Sequence, residues 1–336
     1  MNILLTSIGR RSYIVKYFKD ALGNAGNIYV SNSEKTYAML LADNYFITKP
    51  IYDKEYINSL LEICLKNNVS AIISFFDIDL PILSKNKAIF EKQGIKVVIS
   101  DYTCTEICND KWQTYNFLKN LGLPTIKTFL SLESVINNIK SGKLNFPLII
   151  KPRWGMGSIG IYKVNNENEL NVLYNKLNKE IFDTYLKYES ISNKEECIII
   201  QEMIQGKEFG LDILNDFNGN FATLVAKEKL AMRAGETDVA ITVDTKPFIE
   251  IAKKLSENLK HIGNLDIDIL EKDGNYFILE MNDRFGGQYP FSHNAGVNFP
   301  KQIVEWLNGG ENNPKYLNAK IGVKSCKDLL PVIIEA

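Results

Sequence analysis

The sequence predicts an α/β protein that begins with an open, mostly parallel sheet. Four short apolar runs of strand length lie within the first hundred residues: NILLTS, NIYVSN, AIISFF and KVVIS. Amphipathic stretches such as SYIVKYFKDALG separate these runs, and strands that alternate with helices form parallel sheets. With 336 residues, 45% of them apolar, the chain can bury substantial cores, so we expect two or three domains.

The composition argues against several classes of partner and site. The net charge of −1 argues against bulk electrostatic binding to nucleic acid or to an anionic membrane, so a small-molecule partner is expected. The five cysteines are odd in number and show no C-x-x-C spacing, which predicts neither a disulfide framework nor a zinc site. No run reaches the ~20 apolar residues of a membrane span, and the N-terminus lacks the pattern of a signal peptide. A reducing, cytoplasmic location is therefore expected.

The turn after the first predicted strand, TSIGRRS, has two interpretations. It can present backbone N–H groups to an anion at the start of a helix, where Arg10 and Arg11 would meet a substrate anion. It can equally be a solvated helix start. The turn has one glycine where a dinucleotide fingerprint needs three, so a nicotinamide cofactor is rejected. Asp77 and Asp79 follow the strand AIISFF, where ligands of such sheets usually bind, but an acidic pair alone is weak evidence.

A domain boundary is predicted at residues 101–105, followed by a helix that runs to Leu121. Asp110 has the properties of its N-cap, and a glycine and a proline follow its end. Lys111 lies in the first turn, where its charge opposes the helix dipole and calls for a compensating anion. A solvated lysine is the simpler alternative.

Residues 146–164, FPLIIKPRWGMGSIGIYKV, predict a hairpin with a glycine-rich loop. Lys151 ends the first strand, and the loop glycines can close on a phosphate and offer it backbone N–H groups. The order is not that of a Walker A motif, because the lysine precedes the glycines and no helix follows. A purely structural glycine turn is the alternative.

The next strand, CIIIQEM, leads into a segment that can pass between two lobes. Such a segment can hold a purine with a carbonyl and an N–H, while Glu208 accepts from ribose hydroxyls. Spacing alone does not establish this. Further on, Lys227, Lys229 and Arg233 either line a polyphosphate or carboxylate site or form a solvated strand face.

Residues 276–287, YFILEMNDRFGG, contain the most informative motif. Glu280, Asn282 and Arg284 are spaced by two, so on a strand they project from one face. Carboxylate and amide oxygens suit Mg²⁺, and the forked guanidinium suits a phosphoryl group during transfer. A solvated hairpin face is the alternative.

The preceding strand, LDIDIL, adds two further carboxylates to this motif. Asp266 and Asp268 are also spaced by two, and an Asp-Gly turn folds their strand back antiparallel to the next one. A third metal ligand therefore lies within reach of Glu280 and Asn282.

Taken in order, these motifs resemble the ATP-grasp superfamily, and most of all its carboxylate–amine ligases related to one half of the carbamoyl-phosphate synthase large subunit. The motifs are Lys111 after an aspartate, Lys151 before a glycine loop, IIIQEMIQGKEFGLD, and LDID followed by ILEMNDRFGG. The resemblance covers nearly the whole chain. It implies a Rossmann-like pre-ATP-grasp domain in residues 1–104. A two-lobed α+β ATP-grasp domain would follow, with a small lobe and linker helix in 105–205 and a large C-terminal lobe in 206–336.

The resemblance also implies roles for individual residues. The residues implied for ATP are Lys111, Lys151, Gly155, Gly157, Ser158, Gly160, Glu202, Met203 and Glu208. Glu202 and the backbone of Met203 would hold adenine, and Glu208 the ribose. The residues implied for Mg²⁺, with Mn²⁺ as an alternative, are Glu280, Asn282 and either Asp266, which aligns better with the family's remaining ligand, or Asp268, which points the same way. The residues implied for catalysis are Arg284, Arg233 and Lys151.

The implied activity is ATP-dependent activation of a carboxylate as an acyl phosphate, which an amine then attacks, with release of ADP and phosphate. The chain holds one grasp unit where the synthase has two, which argues against carbamoyl-phosphate synthesis by this chain alone. One alternative is an enzyme that uses bicarbonate as its activated carboxylate. Another is a non-catalytic nucleotide-binding subunit. The expected partners are a small-molecule carboxylate and an amine, with no nucleic acid and no membrane, and a homodimer is considered.

Overall fold

Three β-sheets, one after another along the chain, organise the structure. A computed structural model describes residues 1–334. The first sheet has five strands, the second four and the third six. Helices surround the first sheet and connect the other two, which confirms the predicted α/β class with antiparallel sheets in the C-terminal part.

The first sheet is parallel throughout, with strand order β3-β2-β1-β4-β5. Its elements are β1 (Asn2–Thr6), α1 (Ser12–Leu22), β2 (Ile28–Asn32), β3 (Asn44–Ile47), α2 (Tyr56–Lys66), β4 (Val69–Ser74), α3 (Asp79–Glu91) and β5 (Lys96–Val97). Ile3 packs towards Ile14 and Phe18 of α1, while Leu4 packs towards Leu60 of α2. Burial of both faces explains why the strands read as continuous apolar runs.

The second sheet is antiparallel in order β6-β9-β7-β8 and forms a small lobe. The elements that lead into it and build it are α4 (Tyr102–Asn109), α5 (Lys111–Asn120), β6 (Thr128–Phe129), α6 (Leu132–Lys140), β7 (Leu148–Pro152), β8 (Tyr162–Val164), α7 (Glu167–Asp183), α8 (Lys187–Ser190) and β9 (Ile198–Glu202). Helix α7 fills a stretch for which the sequence analysis predicted no element. Its buried Leu170, Leu177 and Ile181 lie on one stripe that covers the sheet.

The third sheet is antiparallel, in order β14-β13-β10-β11-β12-β15. Its elements and the helices after them are β10 (Lys207–Asn215), β11 (Phe221–Arg233), β12 (Glu236–Val243), α9 (Ile249–Leu259), β13 (Gly263–Lys272), β14 (Asn275–Asn282), α10 (Tyr289–Asn294), α11 (Phe299–Leu307), α12 (Pro314–Leu317) and β15 (Lys324–Cys326). Leu211, Ile213, Leu265 and Ile267 face α9 in one apolar cluster. Strand alternation therefore directs the intervening polar side chains to the opposite face.

The boundaries between these sheets lie near the predicted domain limits. β5 ends at Val97 before α4, and β9 ends at Glu202 before β10. We keep residues 1–104, 105–205 and 206–336 as proposed domains.

Within residues 1–334, no helix is both long and apolar enough to cross a bilayer. All five cysteines are free thiols; four are buried and Cys326 is exposed.

Candidate active site

The polar face of the six-stranded sheet gathers most of the charged residues singled out in the sequence. Asp266 lies opposite Asn282, and Asp268 lies opposite Glu280, in the antiparallel pairing of β13 with β14. Directly opposed side chains share a face and lie close together. The carboxylates of Asp266, Asp268 and Glu280 and the amide of Asn282 therefore line one strip of the sheet, the metal strip.

A β-bulge on β14 brings Glu280 to this strip. Ile269 pairs with Ile278, whereas Asp268 pairs with Glu280, so Leu279 is an extra residue. The bulge lets Ile278 point into the apolar core although it stands two residues before Glu280. Bulges commonly re-aim side chains in this way beside active sites.

Lys229 joins the carboxylates of two strands. Its Nζ lies 2.7 Å from Glu208 Oε1 and 2.7 Å from Asp268 Oδ1. Burial lowers the pKa of Lys229, but the Asp268 and Glu208 carboxylates overcome this effect and raise it above its ordinary value. Lys229 is therefore a buried cation at the centre of the site. The sequence grouped it with Lys227 and could not distinguish the two.

Asp266 and Asp268 lie at different depths. The Asp266 side chain is 9% exposed, and its oxygens accept hydrogen bonds from Gln288 Nε2 at 2.5 Å and from Arg284 Nη1 at 3.4 Å. Burial, followed by the neighbouring Asp268, raises the pKa of Asp266 to about 7. The Asp268 side chain is 26% exposed and lies opposite Glu280. Of the two aspartates, Asp268 is the one open to the cleft.

The oxygen atoms of Asp268, Glu280 and Asn282 match the preference of Mg²⁺. Among the described residues there is no cluster of three or more His, Cys, Asp and Glu side chains that could hold a metal. The set instead has two carboxylates and one amide oxygen, which leaves room for water and for phosphate oxygens around the ion, as is usual for Mg²⁺. The residues fit the ion.

Lys111 links the small lobe to this strip. Asp110 caps α5 by accepting from the N–H of Trp112 at 2.9 Å, which fixes the first turn of the helix. Lys111 Nζ donates to the carbonyl of Gly155 at 2.5 Å and lies 3.9 Å from Glu280 Oε1. The glycine-rich loop and the carboxylate of Glu280 therefore meet at one ammonium group.

Lys151 is a buried cation without a close counter-ion. It is 5% exposed, and no carboxylate in residues 1–334 lies within 4.0 Å of its Nζ. Burial and then the charge of Lys111 lower the pKa of Lys151 to about 8, although Glu280 and Asp268 act in the opposite direction. Such a group would gain an electrostatic partner from an anion in the cleft.

The glycine-rich loop has a backbone that other residues would not easily adopt. Gly157 and Gly160 have φ of 62° and 69°, and Ser158 has φ of 59°. A Cβ on Gly160 would lie 2.7 Å from Leu177 Cδ1, and a Cβ on Gly235 would lie 2.0 Å from Ser158 Oγ. The loop therefore packs closely on α7 and on the turn between β11 and β12.

A narrow cleft separates the small and large lobes beside Lys111. Gln201 Nε2 donates to Thr128 Oγ1 at 2.9 Å on one wall, and Ile278 and Leu279 form the other. Glu202 ends β9, and its N–H donates to the carbonyl of Lys127. Met203 follows at the crossing between the lobes. The lining is mixed, with apolar side chains such as Ile278 and Leu279 facing polar ones such as Gln201, and such a lining suits a planar base with polar edges.

A larger cavity of about 330 Å³ lies behind the glycine-rich loop. Its walls come from β7, β8 and α7 and are mainly apolar. No basic side chain lines it, so it does not suit a nucleotide.

Lys227 does not belong to the ligand-accessible part of the site. It is fully buried, and its ammonium group donates to Asp212 and, at 2.9 Å, to Ser292 Oγ. Neither of the two interpretations from sequence, ligand site or solvated face, holds for it. It stabilises the packing of α10 on the sheet.

Arg233 lies at the far end of β11. It is paired with Asp238 in the adjoining strand, and its side chain is 44% exposed. No contact joins it to Lys151 or Arg284 among the described residues, so its role in catalysis stays a prediction.

The aspartates after β4 have separate roles that sequence alone could not assign. Asp79 is buried and accepts hydrogen bonds from the hydroxyls of Thr6, Ser7, Tyr56 and Ser74 at 2.7–2.9 Å, which marks a structural role. Asp77 accepts from Arg284 Nη2 at 2.9 Å.

Arg284 thus connects the first domain to the metal strip. Burial lowers the pKa of Arg284, but Asp77 and then Asp266 raise it above its ordinary value. Gln288, which sequence reasoning missed, holds Asp266 and also donates to Asp268 Oδ1 at 3.1 Å. The only feature of the sequence that could have pointed to Gln288 is its position just after the motif YFILEMNDRFGG.

The two histidines have structural positions. His261 is fully buried, and burial lowers its pKa to about 3, so it is neutral. The His293 ring stacks on Tyr17 of α1 with ring centroids 3.7 Å apart, which joins α10 to the first domain. Neither side chain reaches Glu280 or Lys151.

We predict that Asp110→Ala lowers the free energy of unfolding by about 3–5 kcal/mol, because it removes a helix cap and leaves the buried guanidinium of Arg153 with only its longer contact to Glu196, at 3.2 Å. Arg153 donates to both Asp110 oxygens, at 2.8 and 2.7 Å. Urea denaturation measures the change. Glu62→Ala, which breaks an exposed pair with Lys66, is the control and should cost less than about 1 kcal/mol. Equal small losses in both variants would contradict the assignment.

Comparison with known families gives two matches. A model described as the ATP-grasp domain matches residues 108–288, and a model described as the PylC-like N-terminal domain matches residues 3–98.

Among curated relatives, the carbamoyl phosphate synthase large chain of Clostridium acetobutylicum is 22% identical over 325 residues. The match covers 93% of this chain but only 28% of that relative.

Two solved structures illustrate the similarity of fold. An L-amino acid ligase from Bacillus licheniformis superposes with a TM-score of 0.74 at 18% identity, over 99% of this chain and 81% of the ligase. The biotin carboxylase domain dimer of the Hydrogenobacter thermophilus 2-oxoglutarate carboxylase, in complex with MgADP, ADP and bicarbonate, superposes with a TM-score of 0.73 at 17% identity. That match covers 96% of this chain and 73% of the carboxylase chain.

Proposed function

Because the chain belongs to the ATP-grasp family, we propose that it is an ATP-dependent ligase that activates a carboxylate as an acyl phosphate and couples it to an amine. The observation that carries this proposal is the position of Lys111. Its ammonium group contacts the glycine-rich loop and lies 3.9 Å from Glu280, so the phosphate loop and the metal strip meet across one cleft. ATP with Mg²⁺ is the proposed cofactor.

The residues of the cleft have different roles, which depend on the lobe in which they lie. Lys151 and Lys111 bind phosphate oxygens from the small lobe, and Asp268, Glu280 and Asn282 hold the metal from the large lobe. Glu202 and Met203 hold adenine at the crossing, and Glu208 accepts from the ribose while Lys229 keeps it in place. When bound, Mg²⁺ supplies charge neutralisation on the phosphates.

Arg284 is a positioned cation next to the metal strip. Its two ion pairs, with Asp77 and Asp266, fix the guanidinium before any ligand arrives. A pre-organised cation stabilises charge on a transferring phosphoryl group without reorganisation. The glycine-rich loop covers the phosphates and excludes water, which protects the acyl phosphate from hydrolysis.

The proposed chemistry has two steps. A carboxylate oxygen attacks the γ-phosphorus of ATP, and the bond from that phosphorus to the β–γ bridging oxygen breaks, which leaves ADP and an acyl phosphate. The amine nitrogen then attacks the acyl carbon, loses a proton and displaces orthophosphate. The protein acts mainly by positioning and electrostatics.

The second candidate is an enzyme that activates bicarbonate. The observation in its favour is the fold shared with the biotin carboxylase domain in complex with MgADP and bicarbonate. A non-catalytic nucleotide-binding subunit is less well supported, because the cations and carboxylates of the cleft are all present. A homodimer is the oligomeric state that we propose to test.

We predict that the nucleotide product is ADP, not AMP, because the metal strip and Lys151 surround the terminal phosphates. Chromatography of reactions with a panel of carboxylates and amines measures both nucleotides. Hydroxylamine should trap the activated carboxylate as a hydroxamate when the amine is withheld. AMP as the main product would contradict the ligase mechanism, and activity that requires bicarbonate and no other carboxylate would favour the second candidate.

A further inference from the structure

The loop between β1 and α1 carries a guanidinium that nothing in the described chain uses. The chain has five arginines, and three of them, Arg153, Arg233 and Arg284, form ion pairs. Arg11 is half-buried, and within residues 1–334 only its backbone takes part in hydrogen bonds. A partly desolvated charge without a partner is costly, which points to an anion that completes the site.

The carboxylates that act electrostatically on Arg11 are already paired with other cations. Burial lowers the pKa of Arg11, and the nearby charge of Arg284 lowers it further, against smaller opposite effects of Tyr13, Asp77 and Glu236. The two carboxylates are already engaged: Asp77 accepts from Arg284 at 2.9 Å, and Glu236 accepts from Lys327 at 2.9 Å.

The loop that carries Arg11 also lies near the segment that follows the metal strip, residues 284–287. A Cβ on Gly287 would lie 3.6 Å from both Glu236 Oε2 and Lys327 Nζ. The electrostatic neighbours of Arg11 include both Glu236 and Arg284. The first loop of the N-terminal domain and residues 284–287 of the large lobe therefore enclose one junction.

Two further groups at this junction have unused hydrogen-bonding capacity. Helix α1 begins at Ser12, and no side chain caps its N-terminus, although the N–H groups of Ser12 and Ile14 already donate to backbone carbonyls of the preceding loop. The Arg284 side chain is 9% exposed, and its Nε is buried without a hydrogen-bond partner in the described chain. Uncapped helical N–H groups and a guanidinium both favour an anion.

We propose, on the basis of the proposed function, that Arg11 and the start of α1 bind a second anionic group of the carboxylate substrate. The activated carboxylate would lie beside Arg284, and the second anion would lie at Arg11. The substrate class is then a dianion: a dicarboxylate, or a carboxylate with a phosphonate or phosphate group. The second anion stays unchanged in the reaction, so Arg11 determines specificity and takes no part in phosphoryl transfer.

The test compares wild type, Arg11→Gln and Arg11→Lys. The probes are linear dicarboxylates from malonate to adipate, the monocarboxylates of equal chain length, and 3-phosphonopropionate. Calorimetry with Mg²⁺ and a non-hydrolysable ATP analogue measures binding without turnover, and ADP release with hydroxylamine measures kcat and KM. Lys16→Gln, on the exposed side of α1, is the matched control.

Wild type should bind at least one dianion ten- to a hundred-fold more tightly than its monoanionic partner, the range expected for a charge-assisted hydrogen bond. Arg11→Gln should abolish this preference by raising KM with kcat nearly unchanged, Arg11→Lys should restore part of it, and Lys16→Gln should match wild type. The phosphonate arm shows whether a carboxylate or a phosphorus oxyanion is preferred.

Two results would overturn the inference: no dianion preference in wild type, or an unchanged preference in an Arg11→Gln variant with wild-type melting temperature. A dianion preference in binding without any ADP release would leave the anion site standing and would count against the proposed ligase activity instead.

Discussion

Glu280→Gln is expected to reduce magnesium-dependent turnover at least about 100-fold while the protein stays folded. The substitution keeps the size of the side chain but removes one of the two carboxylate charges in the set of Asp268, Glu280 and Asn282. Glu280 also faces Lys111 at 3.9 Å, so its loss affects the ion and the cation that contacts the loop. Initial rates of ADP release over a range of Mg²⁺ concentrations measure the effect, and circular dichroism checks the fold.

Glu228→Gln is the matched control for this experiment. The Glu228 side chain has the same exposure as that of Glu280, 28%, and a similar pair at 3.9 Å, with Lys207. It lies between Lys227 and Lys229 on β11, so strand alternation places it on the opposite face from the metal strip. Its activity should stay within about twofold of wild type. Full activity of Glu280→Gln at ordinary magnesium would exclude Glu280 as a ligand.

Local patterns predicted much of the fold because they report local physics. The apolar runs of the first hundred residues became β1, β2, β4 and β5, and Asp110 caps its helix as its residue type predicts. The predicted glycine-loop hairpin is formed by β7 and β8. In contrast, β3 was missed because its side chains are mostly exposed and show no apolar alternation.

Contacts between residues that are far apart in the sequence could not be predicted from motif spacing. Asp77 and Arg284 stand 207 positions apart, and only the packing of the first domain on the large lobe brings them together. The same holds for Lys227, whose buried partners, Asp212 and Ser292, lie on other elements. Sequence pattern showed that these groups were present but not how they were paired.

Strand periodicity alone does not identify the third metal ligand. A period of two places Asp266 and Asp268 on the same face of β13, so the sequence left both open. The structure separates them by depth. The Asp266 side chain is 9% exposed and is held by Gln288 and Arg284. The Asp268 side chain also has a partner, Lys229, but it is 26% exposed and lies opposite Glu280. We therefore propose Asp268 as the ligand and Asp266 as the residue that orients Arg284.

ATP binding is expected to weaken as pH rises above about 8, because Lys151 loses its charge there. The pKa of Lys151 is lowered to about 8 in the nucleotide-free protein, first by burial and then by Lys111. Bound phosphates favour the ammonium form and raise this pKa. Below pH 8 the charge is already present and binding needs no proton. Above pH 8 binding must take up one proton, so the affinity falls by up to about tenfold per pH unit.

Calorimetry with Mg²⁺ and a non-hydrolysable ATP analogue from pH 7 to 9.5, in buffers of different ionisation heat, measures both the affinity and the proton uptake. Lys151→Gln should bind at least about tenfold more weakly at pH 7 and lose the dependence, since no charge remains to titrate. Lys151→Arg should show little dependence, because a guanidinium stays charged throughout this range. Lys163→Gln, at the exposed position of β8, should behave as wild type. A wild-type affinity that stays constant to pH 9.5, without proton uptake, would show that the Lys151 ammonium does not bind the phosphates.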